Sequence, residues 1–257
     1  MALAVKQPGS YVAKYVYRLP RHINPSRFKS AWDRTVQLCP ILRTRIVTVD
    51  GASIQAVIPE NAKWEDTDGM DLRSVMNLAK TMEMDYGSRL SRYAFVTDDK
   101  TNEQYFALII HHTVFDGWSL NVLLGTLISF YRGEAPPTLQ PYSSFVNYTA
   151  QLDPAIAAAY WTQQLEGAQR ATFPRAITSP GYKPVSRVMK TSMPFPMLMD
   201  NSITKATIFR AAWAVVLARY CDTKDVCFGT SVSGRQAPIA GINLMAGPAV
   251  ATVPVRV

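Results

Sequence analysis

Residues 111 to 119 read His-His-Thr-Val-Phe-Asp-Gly-Trp-Ser, and they hold two of the three histidines of the chain. They follow the apolar run Phe106-Ala-Leu-Ile-Ile110, which places the pair at the exit of a strand. Adjacent residues on a strand point to opposite faces, so only one of His111 and His112 can reach a given cavity and the two must divide their roles. An imidazole near neutral pH can take a proton from an attacking amine or hydroxyl, or hydrogen-bond the reacting groups into line. Its neighbour can lock the local backbone. Asp116 can orient a histidine, or turn away and pair with a cation such as Arg43. Gly117 removes the Cβ where a substrate would approach the backbone, and its N–H can help to stabilise a developing oxyanion. The pattern suits acyl transfer, although spacing alone equally allows two packed, hydrogen-bonded histidines. Zinc on His112 and Asp116 would need a helix running through Gly117 and a third ligand. Asp-Gly-Trp-Ser-Leu is not the nucleophile elbow of a serine hydrolase.

The elements that must position these residues follow from periodicity. Tyr11 to Leu19 alternates, with Tyr11, Ala13, Tyr15, Tyr17 and Leu19 on one face, and reads as a strand with one side toward solvent. Asn24-Pro25 opens a helix that ends near Leu38, before Pro40. Leu42 to Val49 and Ser53 to Ile58 flank Asp50-Gly51 as a hairpin, with Arg43 and Arg45 on one face. Asp71 to Met84 is helical and Gly87 breaks it. Ser91 to Thr97 then pairs with Gln104 to His111, the strand that delivers the histidines. Ser119 caps a helix with Leu120, Leu123, Leu124, Leu127, Ile128 and Tyr131 on its buried face, closing at Gly133.

A proline-rich stretch, 135–142, and a helix over Asp153 to Leu165 complete a first subdomain spanning 1–166; weak periodicity marks 167–196 as a connector. From 197 to 257 a second subdomain begins. Asn201 or Ser202 caps a helix with Ala206, Phe209, Trp213, Val216, Leu217 and Tyr220 on one stripe, followed by a strand over Asp225 to Ser233. One face of that strand carries only small residues, Cys227, Gly229, Ser231 and Ser233. The final Thr252-Val-Pro-Val-Arg-Val257 reads as a strand cut short, since one helix and two or three strands cannot bury their own edges.

Composition sets bounds. With 257 residues, 48% hydrophobic and 18% charged, the chain can bury a sizeable core. Only five apolar residues precede Lys6, too few for a secretory signal, and Arg210 and Arg219 interrupt the longest apolar stretches, so no membrane span is expected. Cys39, Cys221 and Cys227 form neither a disulfide framework nor a Cys-x-x-Cys pair, which suits free thiols and a cytoplasmic location. The net charge of +8 is scattered, with no basic run, so the expected partners exclude nucleic acid and leave an acidic protein surface.

The motif resembles the His-His-x-x-x-Asp-Gly signature of condensation domains in nonribosomal peptide synthetases, in a fungal style, and Trp118-Ser119 extends the likeness. Pro40-Ile-Leu-Arg-Thr-Arg45, Tyr142-Ser-Ser-Phe and Tyr160-Trp161 resemble further blocks of that family, as do Val232-Ser-Gly-Arg235, Met245-Ala-Gly-Pro248 and Thr252-Val-Pro-Val-Arg256. The resemblance implies an α+β, chloramphenicol acetyltransferase-like fold of two related subdomains, here one near-complete and the start of a second. It also implies amide formation between substrates carried on 4′-phosphopantetheine arms of upstream and downstream carrier domains, with an adenylation domain as neighbour and no intrinsic cofactor or metal. His112 would be catalytic with His111 in support, beside Gly117, and Asp116 would be structural, paired with Arg43 or, in reserve, Arg45. A fragment of impaired activity is expected. The rivals are a non-catalytic docking module for carrier domains, an acyl-CoA-dependent acyltransferase and an epimerising relative.

Overall fold

A computed structural model describes residues 2–6, 9–98, 101–169, 172–173, 189–194 and 203–257. In chain order its elements are α1 (Ala2–Lys6), β1 (Val12–Leu19), α2 (Pro25–Leu38), a 3-10 turn (Pro40–Arg43), β2 (Thr44–Val49), β3 (Ala52–Val57), α3 (Leu72–Thr81), β4 (Ser91–Asp98) and β5 (Glu103–His111). There follow α4 (Gly117–Arg132), α5 (Ser143–Ala150), α6 (Pro154–Gln164), α7 (Lys205–Cys221), β6 (Cys227–Ser233), a second 3-10 turn (Ile242–Leu244) and β7 (Val250–Arg256).

The chain forms two compact units, Met1–Leu152 with Ser233–Val250, and Asp153–Val232 with Ala251–Val257. This division differs from one at residue 167. Helix α6 buries none of its side chains and groups with the second unit, whereas 233–250 is tied to the first by bonds onto Asp116. Most of the expected connector, and the expected caps Asn201 and Ser202, lie outside the described residues. Helix α7 instead begins after Thr204, whose side chain accepts from the Thr207 N–H.

In the first unit the sheet order is β1-β5-β4, all antiparallel, which puts the histidine-bearing strand in the centre. Its C-terminal end is fully paired: Val12 lies opposite His111, and Ser91 opposite Ile110. The residues of β5 from Phe106 to His111 are all buried, so both faces of the strand are covered there, as its near-continuous apolar run reflects. Helices α2 and α4 pack together, and α2 sends Phe28 and Trp32 onto Phe106, with ring centroids 5.2 and 5.0 Å away. Tyr17 and Trp64 also meet Phe106, at 6.2 and 6.1 Å, so one ring joins β1, α2 and β5. Between β2 and β3 the two-residue turn has φ +48° at Asp50 and +78° at Gly51, the doubly left-handed geometry that Asp-Gly favours.

Two details of the helices depart from expectation. Asp116, not Ser119, is the N-cap of α4, and Ile128 is exposed although Leu120, Leu123 and Leu127 are buried. In the second unit the expected α7 stripe forms a helix but does not bury: Phe209 is 64% and Tyr220 67% exposed, and only Ala214 and Leu217 are covered. The small-residue face of β6 has a packing cause at one position, because a Cβ on Gly229 would stand 3.2 Å from the Thr252 methyl on β7.

Phe106→Ala should lower the free energy of unfolding by about 3–5 kcal/mol, because it empties the centre of the aromatic cluster. Val16→Ala on the solvent face of β1 should change it by roughly 0.5 kcal/mol or less. Urea titration followed by circular dichroism reads both.

Candidate active site

At the end of β5 the backbone turns: the Val114 N–H donates to the His111 carbonyl at 3.0 Å, and the His112 N–H to the Tyr11 carbonyl at 2.8 Å. The two imidazoles part there. His111 is 1% exposed, and its Nδ1 accepts from the Thr113 N–H at 3.0 Å and meets the Thr113 hydroxyl at 2.7 Å. Burial pushes its pKa down to about 4, with the neighbouring His112 adding to the effect, so it is neutral at pH ~7. The ring of His112 lies at the surface, stacked on Phe115 at 4.4 Å with 19° between the planes. Phe115 is itself fully buried and meets Tyr15 edge-on at 6.0 Å, so the exposed imidazole rests on a fixed aromatic base.

Asp116 anchors the other side of the turn. Its carboxylate accepts from the Ser119 N–H at 2.7 Å while the Ser119 hydroxyl accepts from the Asp116 N–H at 2.8 Å, a reciprocal cap on α4. The same carboxylate accepts from the Ala249 N–H at 2.8 Å and lies 3.4 Å from the Arg235 guanidinium. Burial alone would raise the pKa of this group, but the Ala249 and Ser119 donors and then Arg235 outweigh it and hold the carboxyl below its ordinary value.

Arg235 in turn gathers the segment before β7. Its guanidinium donates to the carbonyls of Ile242 at 2.7 Å, Met245 at 3.1 Å and Gly247 at 2.6 Å. Tyr142 holds the same segment from outside, donating to the Pro248 carbonyl at 2.7 Å. Its ring lies where a Cβ on Gly247 would come within 2.2 Å, which is why that position is glycine. Trp118, half exposed on the first turn of α4, donates its indole N–H to the Asn243 carbonyl at 2.9 Å. Gly117 differs: a Cβ there would meet nothing within 4 Å, so no packing among the described residues demands a glycine.

The arginine expected beside Asp116 is corrected. Arg43 sits on the first 3-10 turn and donates to the carbonyls of Val36, Gln37 and Ile58 at 3.1–3.2 Å, closing the C-terminal end of α2. Arg45 pairs with Glu60 at 2.7 Å. The partner is Arg235, which lies 119 residues from Asp116 in sequence. The sequence signal for it is the Val232-Ser-Gly-Arg235 block; in the structure a Cβ on Gly234 would stand 2.7 Å from the Ala249 carbonyl, so the glycine lets this step lie against the segment before β7. Among the described residues no cluster of histidine, cysteine, aspartate or glutamate could hold a metal, and no helix is long and apolar enough to cross a membrane.

A family model described as "Condensation domain" matches residues 2–257. The chain belongs to the condensation domain family. Condensation domains of fungal synthetases are what it is similar to along its whole length. It is 42% identical over 259 residues to the nonribosomal peptide synthetase ungA of Aspergillus violaceofuscus, covering 100% of this chain and 3% of that protein. It is 37% identical over 260 residues to the nonribosomal peptide synthetase TES of Alternaria alternata, of which it covers 5%. The chain thus spans only a small part of the curated relatives it matches. Among solved structures, a variant of the starter condensation domain of the rhizomide synthetase RzmA matches with TM-score 0.71 at 16% identity, over 100% of this chain and 64% of that one. A structure described as the crystal structure of CT matches with TM-score 0.74 at 22% identity, over 96% and 57%. These establish the fold, an α+β architecture shared with those structures.

Asp116→Asn should destabilise the condensation domain by about 3–5 kcal/mol, since it leaves Arg235 buried without its counter-charge. Arg235→Met strands the carbonyls of Ile242, Met245 and Gly247 and should also destabilise, but the double variant should lose less than the sum of the two single changes; strict additivity in denaturant titrations would show that the two side chains are not coupled. The histidine predicts a pH dependence of definite sign. The folded pKa of His111, about 4, lies below the ordinary 6.5, so the unfolded chain binds more protons between these values. Stability is full above the upper value and falls as pH drops, by on the order of 2 kcal/mol between pH ~7 and pH ~5. Asp116 contributes nothing in that window, because its depressed pKa matters only below the ordinary carboxylate value. Urea titrations at the two pH values on wild type and His111→Gln check it: the difference should shrink in the variant.

Proposed function

We propose that the chain forms amide bonds between carrier-borne substrates, with His112 at the reacting groups. The amine of an aminoacyl group on one 4′-phosphopantetheine arm attacks the thioester carbonyl carbon of an acyl or peptidyl group on another. The C–N bond forms, the C–S bond breaks, and the proton lost by the amine ends on the released thiol. The observation that supports this most is the division of the histidines: His111 is buried and neutral, while His112 stands at the surface on Phe115. An imidazole so placed accepts a hydrogen bond from the attacking amine and holds it in line, and much of the acceleration comes from that alignment.

Gly117 follows as the donor side. It is the first residue of α4, where backbone N–H groups lack intrahelical partners and the helix dipole favours negative charge, and the space beside it is open. A thioester oxygen that gains charge during attack is stabilised by such donors. The carrier domains, and an adenylation domain beside them, are the proposed partners, and acidic carrier surfaces suit a chain of net charge +8. A cytoplasmic location is part of the same reading.

The test supplies an acyl-loaded and an aminoacyl-loaded carrier protein to wild type and His112→Ala and follows the amide by mass spectrometry. Wild type should form product, at a rate below that of a whole condensation domain, and the variant should be slower still by roughly 100-fold or more while carrier binding is retained. Equal rates would overturn the role of His112, and binding without product from either protein would overturn the reading in favour of a docking module. Product from free acyl-CoA but not from a loaded carrier would point to an acyl-CoA-dependent acyltransferase instead.

A further inference from the structure

Thr113 lies between the histidines and the anchor, and nothing in the acyl-transfer scheme has so far used it. Its backbone N–H can only donate, and it points to His111 Nδ1 at 3.0 Å, so Nδ1 carries the lone pair. The Thr113 hydroxyl, 2.7 Å from the same nitrogen, must then donate as well. The proton of the neutral ring therefore resides on Nε2, which is buried and without a hydrogen-bond partner among the described residues. Left to itself, such a ring would gain by turning or by moving its proton to a nitrogen that had an acceptor. Two donors from one residue oppose both. The same residue occupies the turn closed by the Val114 N–H and the His111 carbonyl, in which His112 is the preceding member.

We propose that Thr113 is a positioning residue for the condensation reaction: its amide and hydroxyl clamp His111 in the Nε2–H form and thereby fix the turn that presents His112. The ring of His111 acts as a brace between the end of β5 and the turn. Protonating Nδ1 would remove the acceptor and release both bonds at once. Burial holds the pKa of His111 down, and donors aimed at Nδ1 act in the same direction, because they favour the neutral ring. The proposal rests on the reading of His112 as the residue at the reacting groups.

The experiment pairs a structural readout with a kinetic one on Thr113→Val, which keeps the shape and loses the hydroxyl, and Thr113→Ser, which keeps the hydroxyl. Nitrogen-15 NMR of histidine-labelled protein assigns the tautomer and titration of His111 without any need for turnover. In wild type and Thr113→Ser, Nδ1 should be the bare nitrogen across neutral pH. In Thr113→Val the His111 titration should move up toward the ordinary value. The rate of amide formation from loaded carriers should fall by roughly two- to tenfold in the valine variant, the range expected for one neutral hydrogen bond, and be restored in the serine variant. A titration of His111 unchanged in Thr113→Val would overturn the clamp. A shifted titration with an unchanged rate would overturn its link to the chemistry. Absence of product from wild type would count against the functional reading alone, because the NMR result still decides the clamp.

Discussion

Asp116 carries its carboxylate to a place where the residue is only 7% exposed, and a charge there must be met by donors on several sides or give up its ionisation. The chain meets it with three groups from three parts of the sequence: Ser119 on the first turn of α4, the guanidinium of Arg235 after β6, and the amide of Ala249 before β7. Each of these is constrained in turn by the others. Arg235 satisfies the carbonyls of Ile242, Met245 and Gly247, and Tyr142 closes over Gly247. The N-terminus of α4 is therefore fixed by a network that closes on itself, and such networks lose much of their value when one member is removed.

The consequence for the site is a short stretch held at both ends. At one end β5 is central in its sheet and paired on both edges up to His111. At the other, Asp116 caps the helix. Between them lie only His112, Thr113, Val114 and Phe115, of which Val114 and Phe115 are fully buried. His112 is the exposed member of a turn held at both ends by hydrogen bonds and buried neighbours, which is the kind of support that a positioned functional side chain needs.

Much of this was legible in the sequence because it is local. Period-two alternation gave β1, Asn24-Pro25 the start of α2, Asp50-Gly51 the hairpin turn, and the adjacency of His111 and His112 the different burial of the two. What was not legible is what crosses the chain. Arg43 and Arg45 were reasonable partners for Asp116 by composition, yet their guanidinium groups are taken up by the end of α2 and by Glu60. Nothing within a local window ties Asp116 to a side chain more than a hundred residues away. Ser119 fits a cap by type, but an aspartate three residues earlier fits better, and the serine completes the reciprocal pair. The stripe on α7 shows the converse limit: helical spacing of apolar residues is present, but spacing does not say what will cover them.

The claim that a buried carboxylate organises the site is tested most directly by native-state hydrogen exchange of the Ala249 amide. If that N–H is held by Asp116 within a closed network, it exchanges as slowly as the central amides of β5, through global unfolding. Exchange at the rate of an open loop would contradict the account.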